Sequence, residues 1–449
     1  MQMAATKRLV LVTAAVLGTG PAAWADAGVS AETGYLLSTL LFLMGGFLVM
    51  WMAAGFTMLE AGLVRVKNVA DICLKNISLY SLSCIMFLII GYNLMYSGVG
   101  EGFGAGLVGL PSLWGGDDSA VLNDTPDFSA APYAAGSDFF FQMVFVATTA
   151  SIVSGTVAER VRLFPFLVFV AVLAGLIYPV EGAWHWGGGW LAGMGFADFA
   201  GSTVVHAAGG WAALTGALIL GPRRGRYTPA GQIRPMPGSN LPMATLGTFI
   251  LWVGWFGFNG ASQLAFASAG DAVAVSNIFV NTNMAASGGV IAAMAATKLI
   301  YRKTDLSMVC NGALAGLVSI TAGPDTPAPI IAMLIGAVGG VIVVLTVPLL
   351  DRLKIDDVVG AIPVHLLCGI WGTLAVPLTN DDASFTIQLA GVAAVGAFVG
   401  VTSAVTWLIL KMTVGIRLHQ EDEASGADLA ELGLEAYPEF GSGSQKLRY

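Results

Sequence analysis

Asp198-Phe199-Ala200-Gly201-Ser202-Thr203-Val204-Val205-His206 decides how this chain is read, because Asp357-Val358-Val359-Gly360-Ala361-Ile362-Pro363-Val364-His365 repeats its plan. Each stretch opens on Asp, passes through mostly apolar or small residues and closes on His. Gly and Trp follow soon after (Gly210, Trp211; Gly369, Trp371). Ionisable side chains are costly inside a bilayer, so a His in such apolar surroundings is a functional candidate. One His alone would more often be a hydrogen-bonded core residue. Two in equivalent places, in a chain with 4 His, point to an internal repeat with a site where its halves meet.

Composition sets the class. The chain of 449 residues is 56% hydrophobic and 11% charged, whereas a soluble domain carries roughly 25% charged residues. This is the profile of an all-α polytopic membrane protein. Gly is abundant at 58 residues, and small residues let membrane helices approach closely. The net charge of -8 says little about partners, and no basic patch outside short loops suggests nucleic acid. Cys73, Cys84, Cys310 and Cys368 lie in or beside apolar runs without a CxxC, which favours packing over zinc or disulfides. No metal-ligand cluster and no GxSxG nucleophile accompanies either His, so an intramembrane hydrolase ranks low and no cofactor is expected.

Residues 1–25 read as a secretory signal peptide: Lys7 and Arg8, the apolar run Leu9 to Leu17, then the small-x-small site Ala23-Trp24-Ala25. Residues 26–416 form the membrane domain and 417–449 a polar, acidic tail. Apolar segments near 34–64, 70–97, 136–158, 162–182, 200–221, 241–264, 272–300, 307–324, 328–350, 358–379 and 386–414 predict eleven spans. After the signal, Lys and Arg fall only in or near odd-numbered loops or in the tail, from Arg65 and Lys67 to Arg417. Even-numbered loops carry acids such as Glu101, Asp117, Asp118, Asp381 and Asp382. The positive-inside rule then places the mature N-terminus outside and the C-terminus in the cytoplasm. Five helices per half is an odd number, so the second half enters from the opposite side: an inverted 5+5 repeat plus one extra helix. Each His lies eight residues beyond its Asp, about 12 Å of helical rise, which would bring the pair together near mid-membrane. In the tail, Leu429, Leu432, Leu434, Tyr437 and Phe440 predict partial docking on the cytoplasmic face.

The chain resembles the Amt/Mep/Rh ammonium transporters. The residues that carry the resemblance are Gly62-Leu63-Val64-Arg65-Val66-Lys67-Asn68, Phe141-Gln142-Met143-Val144-Phe145, Ala158-Glu159-Arg160, Trp186-Gly187-Gly188-Gly189, the Asp198 to His206 stretch, Gly254-Trp255-Phe256-Gly257-Phe258-Asn259, and Val364-His365 with Cys368-Gly369. The resemblance runs from about Gly34 to Tyr437. It implies a homotrimer in a bacterial inner membrane with one pore per subunit. It implies an outer ammonium site at Phe145, Trp186 and Ser262, with Asp198 close beneath, a stacked gate of Phe145 and Phe258, and a pore lined by His206 and His365. A small cation over ring faces gains roughly 0.5–2 kcal/mol, whereas a lone Phe or Trp here would be packing. Asp198 can equally be the N-cap of its helix. Trp186 and Ser262 favour the Amt branch. His185 reads as an outer-surface residue without a role and His419 as a tail residue. Ala-Gly-Ser is expected where Gly260-Ala261-Ser262 stands, and Leu432 replaces a commonly seen His. Docking of a PII-class regulatory protein is implied by the tail motif.

Stripping the water from ammonium to carry it through a dry pore costs many kcal/mol. Taking its proton near the gate and passing neutral ammonia along the His pair avoids that cost. The proton follows the imidazoles or stays behind, and residue types leave both open. A rival class is an ammonium sensor signalling through a cytoplasmic partner.

Overall fold

The computed structural model describes residues 29–100 and 105–438. The signal-peptide reading, Glu101 and the tail residues from 439 on, Phe440 among them, lie outside the described residues. Eleven apolar helices follow one another: α1 (Ala31–Leu63), α2 (Val66–Tyr96), α3 (Ala135–Val157), α4 (Leu163–Gly193), α5 (Ser202–Leu220), α6 (Leu241–Gln263), α7 (Ala269–Tyr301), α8 (Leu306–Ile320), α9 (Pro329–Arg352), α10 (Ile362–Leu378) and α11 (Phe385–Thr413). Among the described residues nine are long and apolar enough to cross a membrane, and α8 and α10 are shorter. Each overlaps a segment read from the sequence. Side-chain caps fix several starts. Asn240 accepts Met243 N–H at 3.0 Å before α6, Ser268 and Asp271 cap α7 reciprocally, and Asp305 accepts Met308 N–H at 3.1 Å before α8.

Helix α3 is the central post. Its apolar stretch is 89% buried, against 33% for α1, α2, α7 and α11. The peripheral helices turn Leu36, Leu40, Met44, Phe47 and Trp51 of α1, and Leu334, Val338 and Leu345 of α9, outward. Such an apolar exterior needs lipid or another subunit against it.

Helices α5 and α10 cross at their glycines. A Cβ on Gly369 would stand 2.4 Å from the Ser202 carbonyl oxygen, and one on Gly210 would stand 2.6 Å from the backbone of Leu366. Only glycine permits that approach. Both helices start later than expected. Gly201 (φ 103°) and Gly360 (φ 83°) turn the chain in the left-handed region just before each one. The first turns, Ser202–Ala207 and Ile362–Leu367, are wide π-type turns, as in the bond from His206 N–H to the Gly201 carbonyl at 3.0 Å. Neither His therefore lies where an unbroken helix from its Asp would put it. The stretch from Asp to His is not all helix, and the rise from each helix start to its His is nearer 6 Å than 12 Å.

The end of the bundle that carries the Lys and Arg loops, here the basic end, is locked by ion pairs. Arg223 grips Asp356 through Nε and Nη2, both at 2.9 Å, and reaches Glu159 at 3.4 Å, which also takes Arg65. Burial alone would raise the Glu159 and Asp356 carboxyls, but the arginines beside them outweigh it and hold both below the usual range. Arg160 is fully buried and donates to the carbonyls of Gly221, Thr156, Ala158 and Asp356.

The described part of the tail sits on this end, chiefly through polar contacts. Glu423 takes Arg417 and Arg224, Asp428 accepts the N–H groups of Ala70 and Asp71 at the start of α2, and Glu431 accepts that of Leu163 at the start of α4. Anions at helix N-termini are favourable. Leu429 and Leu434, expected to dock by their apolar side chains, are exposed. Tyr437, also expected to dock, does so beside Ala436 against the cluster of Val64, Val69 and Ile72, and Leu418 and Ala427 of the tail are buried.

Candidate functional site

The site runs along α3, between α1, α5, α6 and α10. At the end opposite the basic one lies a cavity of about 330 Å³ lined by Phe141, Gln142 and Phe145 of α3, Trp186 of α4, Phe199, and Ser262 of α6, among others. Three residues expected from sequence, Phe145, Trp186 and Ser262, thus converge on one space. Trp186 meets Phe145 edge to face, with ring centroids 6.0 Å apart at 77°, and its Nε1 donates to the Asp198 carbonyl at 3.1 Å. The Ser262 hydroxyl donates to the Phe258 carbonyl at 2.8 Å, which leaves its oxygen free to accept.

Asp198 does not line that cavity. Its Oδ1 accepts the N–H groups of Gly201 and Ser202 at 3.1 and 2.7 Å, and its Oδ2 those of Thr203 and Val204 at 2.8 and 2.9 Å. Asp357 repeats the device with Gly360 at 3.2 Å and Ile362 at 2.7 Å, and also accepts the Thr156 hydroxyl from the last turn of α3. His185, expected on the surface, is half-buried instead. Its Nε2 accepts the Asp198 N–H at 3.3 Å and its ring meets Phe196 edge-on.

Beneath the cavity, Phe145 and Phe258 stack with centroids 4.0 Å apart at 22°, both buried. The passage is shut at that level. Below them His206 lies between Phe258 and Trp255, with centroids at 5.3 and 5.0 Å. His206 and His365 meet at 3.2 Å through their Nδ1 atoms, and both are buried. Two neutral imidazoles can share that contact only if one Nδ1 carries a proton and the other accepts it. Their Nε2 atoms are then complementary: the acceptor ring has an Nε2–H, the donor ring a bare Nε2. His206 Nε2 is buried and has no partner among the described residues. Past His365 lies a small, mostly apolar cavity bordered by Phe56, Leu59, Ile152, Leu314 and the polar Glu60 and Asn311.

Sequence reasoning missed three parts of this path: the Trp255 face on His206, the acid Asp138 at the first cavity, and Glu60, whose carboxylate accepts Asn76 and Ser154, both at 2.7 Å. Trp255 stands inside a quoted motif. The two acids fall inside expected spans, where the rule that singled out the His pair applies equally.

Fold and site together define a polytopic membrane protein with a narrow, ring-gated passage along a buried His pair. The model of the Ammonium Transporter Family matches residues 40–437. The chain is 41% identical to the ammonium transporter Amt2 of Archaeoglobus fulgidus over 428 residues, 89% of this chain and 87% of that protein. It is 31% identical to the ammonium transporter of Bacillus subtilis over 419 residues, 89% of this chain and 98% of that one. Among solved structures it matches a Sensor Amt Protein with a TM-score of 0.82 at 33% identity, covering 89% of this chain and 99% of that one. Candida albicans Mep2 matches with a TM-score of 0.78 at 27% identity, covering 93% and 94%. The chain belongs to the Ammonium Transporter Family, and its place is among membrane transporters rather than enzymes.

Proposed function

We propose that this protein recruits ammonium at the aromatic cavity, takes its proton near the Phe145–Phe258 stack and conducts ammonia past His206 and His365. The observation that carries the reading is the 3.2 Å contact of two buried imidazoles directly beneath a stacked ring pair. Trp186 and Phe145 supply ring faces for the cation and Ser262 an acceptor. The rings exclude water and hydrated metal ions. The paired imidazoles offer a donor and an acceptor to a small neutral molecule that water no longer reaches. If a proton enters at the bare Nε2, the Nδ1 proton crosses the contact and the Nε2–H of the other ring leaves, both rings end neutral with their Nε2 roles exchanged, so the pair can also relay the proton.

The wider architecture follows the same reading. Eleven spans arranged as an inverted 5+5 repeat plus one helix explain why Asp198, Gly201, His206 and Gly210 recur as Asp357, Gly360, His365 and Gly369, each 159 residues on. With the basic end cytoplasmic, residues 26–416 form the pore domain after signal cleavage and the tail from 417 lies inside. Three subunits, each with its own pore, shield part of the apolar exterior, and the tail face is where a PII-class protein would dock. Asp198 then holds the pore's scaffold rather than the cation.

Ammonium flux with simultaneous current in proteoliposomes, with potassium as competitor, tests the reading. Selective uptake supports it, and uptake with current assigns the proton to the same route. The second reading is an ammonium sensor, favoured by the match to a Sensor Amt Protein. Saturable ammonium binding without flux would establish it in place of transport.

A further inference from the structure

The cavity above the ring stack contains more than the recruiting residues. Tyr92, Tyr96, Tyr133 and Asp138 also border it. Asp138 lies in the first turn of α3, and its carboxylate accepts the Tyr92 hydroxyl. It is half-buried, and among the described residues no ion pair neutralises it. All eight ion pairs among the described residues lie at or near the basic end, and the whole stretch from Ser97 to Asp138 contains no Lys or Arg. The groups facing Asp138 are aromatic or neutral: the three tyrosines and Gln142. The Tyr96 hydroxyl is buried and unpartnered among the described residues.

A partly desolvated carboxylate without a protein counter-charge draws one from solution. Ring faces and hydroxyl oxygens around it suit a small cation with N–H donors. The volume, about 330 Å³, also admits several waters at about 30 Å³ each. We infer that Asp138, with Tyr92, Tyr96 and Tyr133, forms a holding site for a partly hydrated ammonium or methylammonium ion, upstream of the rings of Phe145 and Trp186. The inference rests on the proposed transport reading and deepens it. The cation keeps part of its water at Asp138 and loses it only on moving to the ring faces, so desolvation is divided into two smaller steps. Concentrating the cation at the mouth acts on capture, not on the later proton transfer.

The competing explanation is structural: an acid in the first turn favours its own helix. The test uses Asp138→Asn, which still accepts the Tyr92 hydroxyl but loses the charge, beside Asp138→Glu and Tyr92→Phe. In proteoliposomes, the Asn variant raises the half-saturating ammonium concentration about three- to tenfold at low salt, with maximal flux unchanged. The difference shrinks as ionic strength rises. Asp138→Glu restores the wild-type value. Tyr92→Phe keeps the charge but removes one hydroxyl of the site, and raises the value by less than Asp138→Asn does. In parallel, quenching of intrinsic aromatic fluorescence by methylammonium chloride, corrected with sodium chloride, is read on purified protein; it weakens in Asp138→Asn and is kept in Asp138→Glu. Unaltered half-saturation and quenching in Asp138→Asn overturn the holding site while wild-type flux leaves the transport reading standing. A lowered thermal midpoint without either change assigns Asp138 to the helix and overturns it equally. Absence of wild-type flux sinks the transport reading, and the quenching measurement then decides the site by itself.

Discussion

Replacing Asp198 by Asn changes one atom type in a fully used cap. The carboxylate accepts four backbone N–H groups, two on each oxygen, at 2.7–3.1 Å, and it is buried. An amide keeps one acceptor, which still serves Gly201 and Ser202 or Thr203 and Val204. Its NH2 group then faces the other two N–H groups as donor against donor. Two buried donors left unsatisfied cost about 1–3 kcal/mol each, so the variant loses roughly 2–6 kcal/mol. That is a large part of a typical stability of about 5–15 kcal/mol. The start of α5, and with it His206, is what the cap holds. Asp198→Asn should therefore lower the thermal midpoint of the detergent-solubilised protein and reduce ammonium flux in parallel. Half-saturation of the residual flux should stay at the wild-type value, because no carboxylate oxygen faces the cavity. Size-exclusion thermostability and proteoliposome flux on the same preparation read both. A variant with wild-type stability and a tenfold higher half-saturating concentration would refute the reasoning and make Asp198 a cation ligand.

Three further outcomes are expected. His206→Ala or His365→Ala leaves one imidazole without its partner at a cost of about 1–3 kcal/mol; each should assemble but lose ammonium-driven current or admit potassium, and wild-type current with potassium excluded in both would reduce the histidines to packing. Trp186→Leu or Ser262→Ala should weaken selectivity over competing cations more than stability, as read by competition flux on protein of wild-type thermal midpoint; unchanged selectivity would remove them from the recruiting site. At the basic end, Glu159 and Asp356 have folded values below their unfolded ones, so their stabilisation is full above roughly pH 5 and is lost as pH falls through about 4 and below; Asp356→Asn should flatten the acid side of the stability profile, and an unaltered acid midpoint would show that the arginine cluster does not set it.

Most of the helix order was legible because two independent patterns, hydropathy and the placement of Lys and Arg, mark the same boundaries. The His pair was legible because the cost of burying an ionisable group applies to any apolar run, whatever its partner. What sequence could not give was local geometry that depends on partners distant in the chain. Asp198 and Asp357 were placed at the helix starts, but only the positive φ of Gly201 and Gly360 shows that the helices begin after them. That shortens the helical rise to each His. Both helices also open on a wide π-type turn, and in α5 the Gly201 carbonyl accepts the N–H groups of both Val205 and His206 at 3.0 Å. The tail shows the same limit. Spacing of Leu429 and Leu434 suggested apolar docking, yet the contacts that hold the tail are Asp428 and Glu431 on the N-termini of α2 and α4. Those acids look like solubilising charge until the two helix ends are brought beside them. A carboxylate on an unsatisfied helix N-terminus gains more than an exposed charge pair, so these acids, with Leu418, Ala427 and Tyr437 packed beside them rather than Leu429 and Leu434, fix where this tail lies.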